Sequence, residues 1–453
     1  MSDTPLTDAV RRYRDSVRAR LHVPAHGGGP GSPWLDALFP GLAGWDVTEQ
    51  PELDDLSHPD GPLAAAQDAA AQLYGAAQAH YLTGGATQGV HAAVLASLLH
   101  GGALLAARDS HRSLLGAALL ANADVVLVSP ERDPHFGVSL GPSAKSVGQA
   151  LAEHPDIRAV LVPYPTYLGI APDLGAIARE AHAHGVLTIA DAAHGAHFGW
   201  HPALPQAPLA AGADIVVAGM HKSGGSLTQT AILLAGDGAL GMSDDLALAL
   251  RLIGTSSPSY ILMTSLEQAV AQAARDPGYL LDSAIAAAQR VESAARVMTG
   301  LPQDPLRVAL QFDRPDLASD FCGRLAQNAL RGEYFEEGLA LFIVPFGPPR
   351  HIDLLTKAAR DLSRPRPAEP GPVLPLERIA PARALRARRT RRILQEAVGC
   401  TAADVVSVVP PGIPALWPGE RISQAAVETL QRALSQGRRV MGIDQQWLWV
   451  VSE

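Results

Sequence analysis

Two stretches of sequence decide the fold of this chain: DAAHGAH at residues 191–197 and HKSGGSLTQ at residues 221–229. Each stretch follows a short apolar run with β-branched residues, which is the pattern of a buried strand. Asp191 and Lys222 therefore come at the carboxyl ends of consecutive predicted strands. Ligands of open α/β sheets bind beyond this edge of the sheet, so the two stretches predict a binding site there.

The residue types at this edge are those that a pyridoxal-phosphate (PLP) enzyme needs. The amine of Lys222 can form a Schiff base with the cofactor aldehyde, and the carboxylate of Asp191 can keep the pyridine nitrogen protonated so that the ring accepts electrons. His194 follows Asp191 by three residues and can lie beside the ring. Two ordinary roles compete with this interpretation, because an aspartate after a strand is commonly a helix N-cap and a lone lysine is commonly a surface charge.

Apolar runs of the same kind recur along the chain and alternate with helical segments. The predicted strands lie at 103–107, 124–128, 159–163, 186–190 and 214–218. Continuous apolar strands separated by helices predict an α/β fold with a mostly parallel sheet flanked by helices. Further strands are expected at 305–312 and 338–345, and further helices at 316–330 and 351–362.

Changes in composition and in the pattern of apolar residues along the chain predict four regions. They are an N-terminal arm and active-site loop at 1–60, a PLP-binding large domain at 61–268, a small domain at 269–363, and a Pro-rich linker with a C-terminal α+β region at 364–453. The arginine cluster from Arg383 to Arg392 is expected to be the solvated face of a helix, with a nucleic-acid or partner patch as the alternative.

Composition narrows the classes of function. The 453 residues are 47% hydrophobic and 18% charged, as expected for a globular protein with a large core. The net charge of −9 argues weakly against a nucleic-acid surface. No apolar run reaches the roughly 18 residues that cross a bilayer, and the N-terminus carries no secretion signal. The two cysteines, Cys322 and Cys400, form no disulfide framework, so a cytoplasmic location is expected.

Other polar residues fit a cofactor site less specifically. TGGAT at 83–87 precedes a predicted helix, where backbone N–H groups, the helix dipole and the Thr87 hydroxyl can hold a phosphate. His111 is either a surface histidine or a ring that stacks on the cofactor, and the residues alone leave both open. No metal is expected, because no zinc spacing fits the four histidines His182, His184, His197 and His201.

Taken together, the motifs resemble a known family. The chain resembles the ornithine/lysine/arginine decarboxylases, in their short bacterial form, which are PLP-dependent enzymes of fold type I (the aspartate-aminotransferase fold). The motifs that carry the resemblance are PAHGGG (24–29), LDDLSHPDGPL (53–63), TGGATQG (83–89), RDSHRS (108–113), PYPTYLGIAPDL (163–174), DAAHGAHFG (191–199), HKSGGSLTQ (221–229), TSSPSY (255–260) and PPGIPALWPGERI (410–422).

The resemblance implies roles around the cofactor ring. Lys222 would hold PLP as a Schiff base, Asp191 would pair with the pyridine nitrogen, and His194 would lie near the ring hydroxyl. His111 would stack on the ring. His221, which precedes the lysine, would act with it as a catalytic residue.

The resemblance also implies a phosphate site that two subunits share. Ala86, Thr87 and His221 would surround the phosphate. Ser256 would reach it from the neighbouring subunit, because active sites of this fold form across a dimer interface, in a homodimer or a higher homo-oligomer.

The residues around the cofactor depart from the family pattern at several positions. Ala86 stands where a serine is usual, Gly219 where a hydroxyl residue is usual, Ala192 where a glutamate is common, Gly27 where a lysine is usual, and Val409 where a tyrosine is common. PLP binding remains expected, while the identity of the substrate and the turnover stay open.

The expected function is PLP-dependent decarboxylation of a basic L-amino acid (lysine, arginine or ornithine) to its amine, as in polyamine biosynthesis. His26, Glu420 and the acidic stretch at 333–337 are candidates for binding this small-molecule substrate. Two alternatives stay open: another PLP reaction on the same fold, such as that of an aminotransferase or a different lyase, and a catalytically silent scaffold. No nucleic acid and no membrane is expected as a partner.

Overall fold

The computed structural model of the chain describes residues 3–29, 31–336, 338–347, 350–367, 374–409, 413–435 and 437–452. The helices are α1 (Pro5–Ser16), α2 (Pro33–Leu38), α3 (Leu42–Trp45), α4 (Pro62–Tyr74), α5 (Gly85–Ser97), α6 (Ser113–Leu120), α7 (Ala144–Glu153), α8 (Leu174–Ala183), α9 (Met220–Ser223), α10 (Ser243–Ile253), α11 (Tyr260–Arg275), α12 (Pro277–Gln289), α13 (Pro315–Gln327), α14 (Ile352–Ala359), α15 (Pro381–Arg386) and α16 (Gln424–Ser435). Short 3₁₀ turns lie at Asp237–Met242 and Leu394–Glu396.

The strands include the five that the apolar runs predict in the middle of the chain. They are β1 (Gln78–Leu82), β2 (Ala103–Ala107), β3 (Val125–Val128), β4 (Glu131–Arg132), β5 (Ser139–Gly141), β6 (Ile157–Pro163), β7 (Leu187–Ala192), β8 (Ile215–Ala218), β9 (Ala231–Ala235), β10 (Arg307–Gln311), β11 (Tyr334–Glu336), β12 (Leu339–Ile343), β13 (Glu377–Ile379), β14 (Arg389–Ile393), β15 (Val406–Val409), β16 (Pro414–Leu416), β17 (Arg439–Met441), β18 (Ile443–Asp444) and β19 (Trp447–Val451).

The large sheet is mostly parallel, as predicted. Its eight described strands lie in the order β1–β9–β8–β7–β6–β2–β3–β13. The five inner strands β8, β7, β6, β2 and β3 pair in parallel, while β9, β1 and β13 add antiparallel edges. Because β6, β7 and β8 run side by side in one direction, the residues that end β7 and follow β8 meet at the same edge of the sheet.

Helices cover both faces of this sheet, which explains its continuous apolar strands. All five residues of β2 are buried, with Leu104 facing one helical layer and Leu105 the other, since side chains alternate along a strand. Residues of α5, α6 and α10 form the first layer, and residues of α4, α7, α8 and α11 form the second.

Two smaller parts follow the large sheet. An antiparallel sheet in the order β10–β12–β11 packs against α13 and α14. The C-terminal part holds two three-stranded sheets, β14–β19–β18 and β16–β15–β17, around an apolar cluster with α16. Strand β13, also from the C-terminal part, completes the edge of the large sheet. None of the described helices is long and apolar enough to cross a membrane.

The prediction of one solvated helix for the arginine cluster is wrong beyond Arg386. Helix α15 ends there, and Arg389, Arg391 and Arg392 lie on the exposed strand β14, which pairs with β19. The guanidinium groups of Arg389 and Arg391 lie 4.7 and 5.3 Å from the ring of Trp449. This cross-strand cation–π contact depends on a partner far along the chain, so local sequence does not reveal it.

Candidate active site

Lys222 lies in the single turn α9, immediately after strand β8. Its Nζ is 3.1 Å from His194 Nε2. The side chain is open to solvent in this single chain, yet enough protein surrounds the amine that desolvation lowers its pKa. The carboxylates of Asp191 and Glu333 oppose this lowering of the pKa, and the charge of Arg307 adds to it. An amine held toward its neutral form is ready to act as a nucleophile.

Asp191 lies near the end of β7, the strand beside β8, and is paired in register with Val217. Only 9% of the residue is exposed, and its Oδ1 accepts a hydrogen bond of 3.1 Å from the backbone N–H of Ala193. The negative charge of Asp191 acts on both Lys222 and His111. The sheet thus brings a buried carboxylate to the lysine, as the sequence predicted.

His194 connects the lysine to a buried arginine. Its Nδ1 is in hydrogen-bonding contact with Nη2 of Arg307, and its ring packs edge-on against Tyr167 with 5.3 Å between ring centroids. Burial holds the pKa of His194 well below its usual value, and the nearby positive charges of Arg307 and Lys222 lower it further. His194 is therefore neutral at physiological pH.

Two further histidines border the same site. Burial lowers the pKa of His111, Asp191 opposes this shift and Lys222 adds to it. The Nδ1 of His111 accepts a hydrogen bond of 3.2 Å from the backbone N–H of Ser113, which fixes the ring at the end of β2. His221 donates from Nδ1 to the carbonyl oxygen of Thr230 at 2.9 Å.

The predicted phosphate cradle borders a cavity of about 470 Å³ at the N-terminus of α5. The lining residues include Thr83, Gly84, Thr87, His91, Gln229, Thr255 and Ser257. Ser256 is exposed and stands between two of these lining residues, and Ala86 packs against the core beneath α5. The first N–H groups of α5 and the Thr87 hydroxyl lie where an anion can be bound.

Packing explains one departure from the family pattern. A Cβ at Gly219 would lie 2.3 Å from the carbonyl oxygen of Ala193, so the approach of β8 to the segment after Asp191 leaves no room for a hydroxyl side chain. Ala192 is fully buried in the apolar core. Gly27 adopts a positive φ of 59° in the N-terminal loop, and Val409 is half-buried at the end of β15.

The candidates for substrate binding lie in different surroundings. His26 contacts Asp46 Oδ2 at 3.1 Å in the N-terminal arm. Glu420 accepts hydrogen bonds from Arg108 through Oε1 and, at 2.9 Å, from the backbone N–H of Trp417 through Oε2, so both of its oxygens are engaged. Among the described residues, no hydrogen bond or ion pair joins either side chain to Lys222.

Glu333, the third candidate, acts on the lysine through its charge. It accepts a hydrogen bond of 3.1 Å from the Tyr167 hydroxyl, and its charge acts on Lys222 and Arg307. Glu337, at the other end of the predicted acidic stretch, lies outside the described residues.

The four histidines that invited a metal interpretation each pair with a different carboxylate. The pairs are His182–Asp214, His184–Glu180, His197–Asp304 and His201–Asp282. The part of the chain that the structure describes gathers no group of three or more histidine, cysteine or carboxylate side chains that could hold a metal ion.

Sequence reasoning missed Arg307, Tyr167 and Asp304. Tyr167 belongs to the quoted motif PYPTYLGIAPDL, which is a signal for it, but the motif does not reveal its contact with His194. Arg307 and Asp304 lie more than a hundred residues beyond Asp191 and His194 and reach that motif only through the packing of β10.

Solved structures identify the class of protein that this fold defines. The E. coli constitutive lysine decarboxylase matches 99% of this chain and 82% of its own, with a TM-score of 0.80 at 18% identity. The Francisella novicida lysine decarboxylase matches 99% and 81% with a TM-score of 0.82 at 16% identity. A serine palmitoyltransferase from Sphingomonas wittichii matches 78% and 82% with a TM-score of 0.53 at 15% identity. The fold is that of PLP-dependent enzymes of fold type I.

Sequence comparison identifies the family. The profile of the "Orn/Lys/Arg decarboxylase, major domain" matches residues 4–301. The arginine decarboxylase of Bacillus anthracis is 31% identical over 475 residues, covering 97% of this chain and 95% of the relative. That of Bacillus subtilis is 28% identical, covering 99% and 97%. The chain belongs to the Orn/Lys/Arg decarboxylase family, as its motifs indicated.

Proposed function

We propose that this chain binds PLP through Lys222 and decarboxylates a basic L-amino acid, with arginine as the first substrate to test. The observation that carries the proposal is the contact of the Lys222 amine with neutral His194, beside the buried carboxylate of Asp191. Membership of a decarboxylase family supports the reaction class. The names of the arginine decarboxylase relatives support the choice of arginine.

The residues present fit PLP at each part of the cofactor. A desolvated amine suits the aldehyde, a buried carboxylate suits the pyridine nitrogen, and the N-terminus of α5 beside Thr87 suits the phosphate. When bound, PLP supplies an electron sink that accepts the electron pair left as carbon dioxide departs.

The chain's own groups have distinct tasks in this proposal. Lys222 would hold the cofactor through its amine, and this amine would also be placed to move a proton to the substrate Cα. His221 is the second candidate donor. Asp191 would keep the pyridine nitrogen protonated, because a negative charge beside that nitrogen favours its cationic form. His111 would stack on the cofactor ring and exclude water there.

We propose Glu333 as the group that receives the distal cation of the substrate. Its Oε1 is fixed by the Tyr167 hydroxyl, and Tyr167 packs on His194, which contacts Lys222. This short chain of contacts leads from the reacting amine to a carboxylate whose Oε2 accepts no hydrogen bond from the described residues. A guanidinium can pair with such a carboxylate through two donors, whereas an ammonium offers a point charge.

We further propose that the chain forms a cytoplasmic homodimer and is divided into the four regions given above. In this dimer, Ser256 contributes to the phosphate site of the partner subunit. Support for a dimer comes from apolar side chains that the single chain leaves exposed in the N-terminal arm, with Leu21 97% exposed and Trp34, Leu38 and Phe39 more than half exposed. Mixing Lys222→Ala with Ser256→Ala protein tests sharing directly. If sites are shared, mixed dimers regain activity that neither parent has.

The activity is tested with a panel of amino acids incubated with the PLP-loaded protein. Release of carbon dioxide and the amine from arginine, lysine or ornithine, lost in Lys222→Ala and kept in Lys145→Ala, is the expected result. Lys145 is an exposed residue of α7, so it is a matched control. Formation of a keto acid without carbon dioxide would instead assign a transamination. PLP binding without turnover of any substrate would favour the silent relative.

A further inference from the structure

Arg307 is a deeply buried charge beside the candidate active site. The residue is 2% exposed at the start of β10. Its Nη1 donates to the Tyr167 carbonyl oxygen at 2.7 Å, and its Nη2 contacts His194 Nδ1. One guanidinium thus binds both the turn that holds Tyr167 and the ring that faces Lys222.

The chain is shaped locally to admit this side chain. Gly169 has a positive φ of 84°, and a Cβ there would lie 2.6 Å from Arg307 Cδ. The Gly169 carbonyl oxygen accepts a hydrogen bond of 2.8 Å from the backbone N–H of Asp304, which ties the two segments together. Any side chain at position 169 would displace the arginine, so the turn needs glycine for a reason of packing as well as of backbone conformation.

A buried carboxylate compensates the charge of Arg307. Asp304 Oδ2 lies 3.7 Å from Arg307 Nε and 3.1 Å from His197 Nε2. Burial alone would raise the pKa of Asp304, but His197, Arg307 and the N–H of Leu306 together lower it, so Asp304 is ionised. The arginine can therefore remain charged although water does not reach it.

The contact between Arg307 and His194 has a consequence for protons. A guanidinium offers only donors, so His194 Nδ1 must accept. A neutral imidazole whose Nδ1 accepts carries its hydrogen on Nε2. This Nε2 is the atom 3.1 Å from Lys222 Nζ, so the imidazole is the donor in that contact and the amine must offer its lone pair.

We propose that Arg307 is a positioning residue that fixes His194 with its proton on Nε2, so that His194 donates to Lys222 and keeps the lysine amine unprotonated. The proposal rests on the proposed role of Lys222 as the cofactor lysine. The lowered pKa values of His194 and Lys222 agree with it, since burial lowers both and the charge of Arg307 lowers both further.

Other charged groups around His194 and Lys222 either raise or lower the pKa of the lysine. Asp191 and Glu333 favour the protonated amine, whereas Arg307 disfavours it. His111, His221 and Tyr167 complete the titratable groups around His194. Burial is the main cause of the lowered pKa of Lys222, and the charge of Arg307 adds to it against the two carboxylates.

The test measures the protonation of Lys222 in the full chain stripped of PLP. The sequence has only three lysines, Lys145, Lys222 and Lys357, and the structure exposes Lys145 and Lys357. Brief acetylation at a series of pH values, read by peptide mass spectrometry, gives a midpoint for each lysine because only the neutral amine reacts. In the wild type, Lys222 is expected to react at lower pH than the two internal references.

Arg307→Met is expected to move the Lys222 midpoint to higher pH and to leave the midpoints of Lys145 and Lys357 in place. Arg307→Lys keeps the charge but cannot bind Tyr167 and His194 together, so its midpoint should lie between those of the wild type and Arg307→Met. Arg296→Met is the matched control, because Arg296 is a half-buried arginine of the same region whose guanidinium, among the described residues, binds only backbone carbonyl oxygens. An unchanged Lys222 midpoint in folded Arg307→Met protein would overturn the proposal.

A second measurement needs no variant at Arg307. In ¹⁵N-histidine-labelled protein, with the His194 signals assigned by their loss in His194→Asn, Nδ1 is expected at the shift of an unprotonated ring nitrogen and Nε2 at that of a protonated one. The reverse assignment would refute the proposal. Neither measurement uses PLP or turnover, so a failure of the proposed function is recognised separately, by a chain that does not bind PLP at Lys222.

Discussion

Replacing Glu420 by glutamine is expected to destabilise the chain without weakening substrate binding. Arg108 and Glu420 form a buried ion pair, with side chains 10% and 6% exposed, that joins the end of β2 to the C-terminal part. Removing one partner of such a pair costs about 3–5 kcal/mol, since the remaining charge stays buried. Arg108 keeps a second contact with Glu377 at 3.2 Å, so we expect a loss of about 3 kcal/mol.

The free energy of unfolding is measured by urea denaturation, followed by tryptophan fluorescence because Trp417 is buried against Arg108. Glu396→Gln is the control, since Glu396 is an exposed glutamate of the same region. The double variant Arg108→Met/Glu420→Leu removes both charges, and we expect it to recover part of the stability that Glu420→Gln loses. A Glu420→Gln protein as stable as the wild type, with a KM for arginine raised tenfold or more, would refute this reasoning and make Glu420 a substrate residue.

Three further predictions concern other parts of the chain. Gly219→Ser should lose about 1–3 kcal/mol of stability through its clash with Ala193, measured by urea denaturation, whereas Gly241→Ser, with open space around its Cβ, should not; equal stability of the two variants would contradict the packing argument. Glu333→Gln should raise the KM for a basic substrate roughly tenfold and leave PLP affinity unchanged, since one charge-assisted hydrogen bond contributes about 1.5–3 kcal/mol; an unchanged KM in steady-state kinetics would exclude Glu333. Glu267→Ala should expose α1 to limited proteolysis, because the Glu267 carboxylate accepts the N–H groups of Leu6 and Thr7 at 2.7 and 2.6 Å; a cleavage rate equal to that of the wild type would show that the arm is anchored elsewhere.

The pattern of apolar residues predicts the sheet, because the burial of each inner strand determines the residues of that strand itself. Each of the five inner strands must be apolar on both faces to lie between two helical layers, and that requirement appears in the sequence as a short continuous apolar run. The placement of Asp191 and Lys222 followed from the same rule, since parallel strands end at one edge. The antiparallel edge strand β13 was not predicted, because its pairing with β3 joins residues that are far apart in the chain.

The sequence predicts only part of the candidate site, because some of its residues come together only through tertiary packing. Lys222 and His194 lie in compact motifs, so the spacing of residues within each motif predicts them. Arg307 was not found, because nothing near it in the sequence marks it and its role comes from packing under the turn at Gly169. The sequence offers Glu420 as a candidate for binding the substrate, and local sequence does not reveal that Arg108 and the backbone N–H of Trp417 bind its two oxygens.

The measurement that tests the account most directly is borohydride reduction of the PLP-loaded protein followed by peptide mass mapping. With three lysines in the chain, the outcome is unambiguous. The account predicts a pyridoxyl group on the peptide that contains Lys222 and on neither of the peptides that contain Lys145 and Lys357. A pyridoxyl group on one of those two instead, or on no lysine at all, would contradict it.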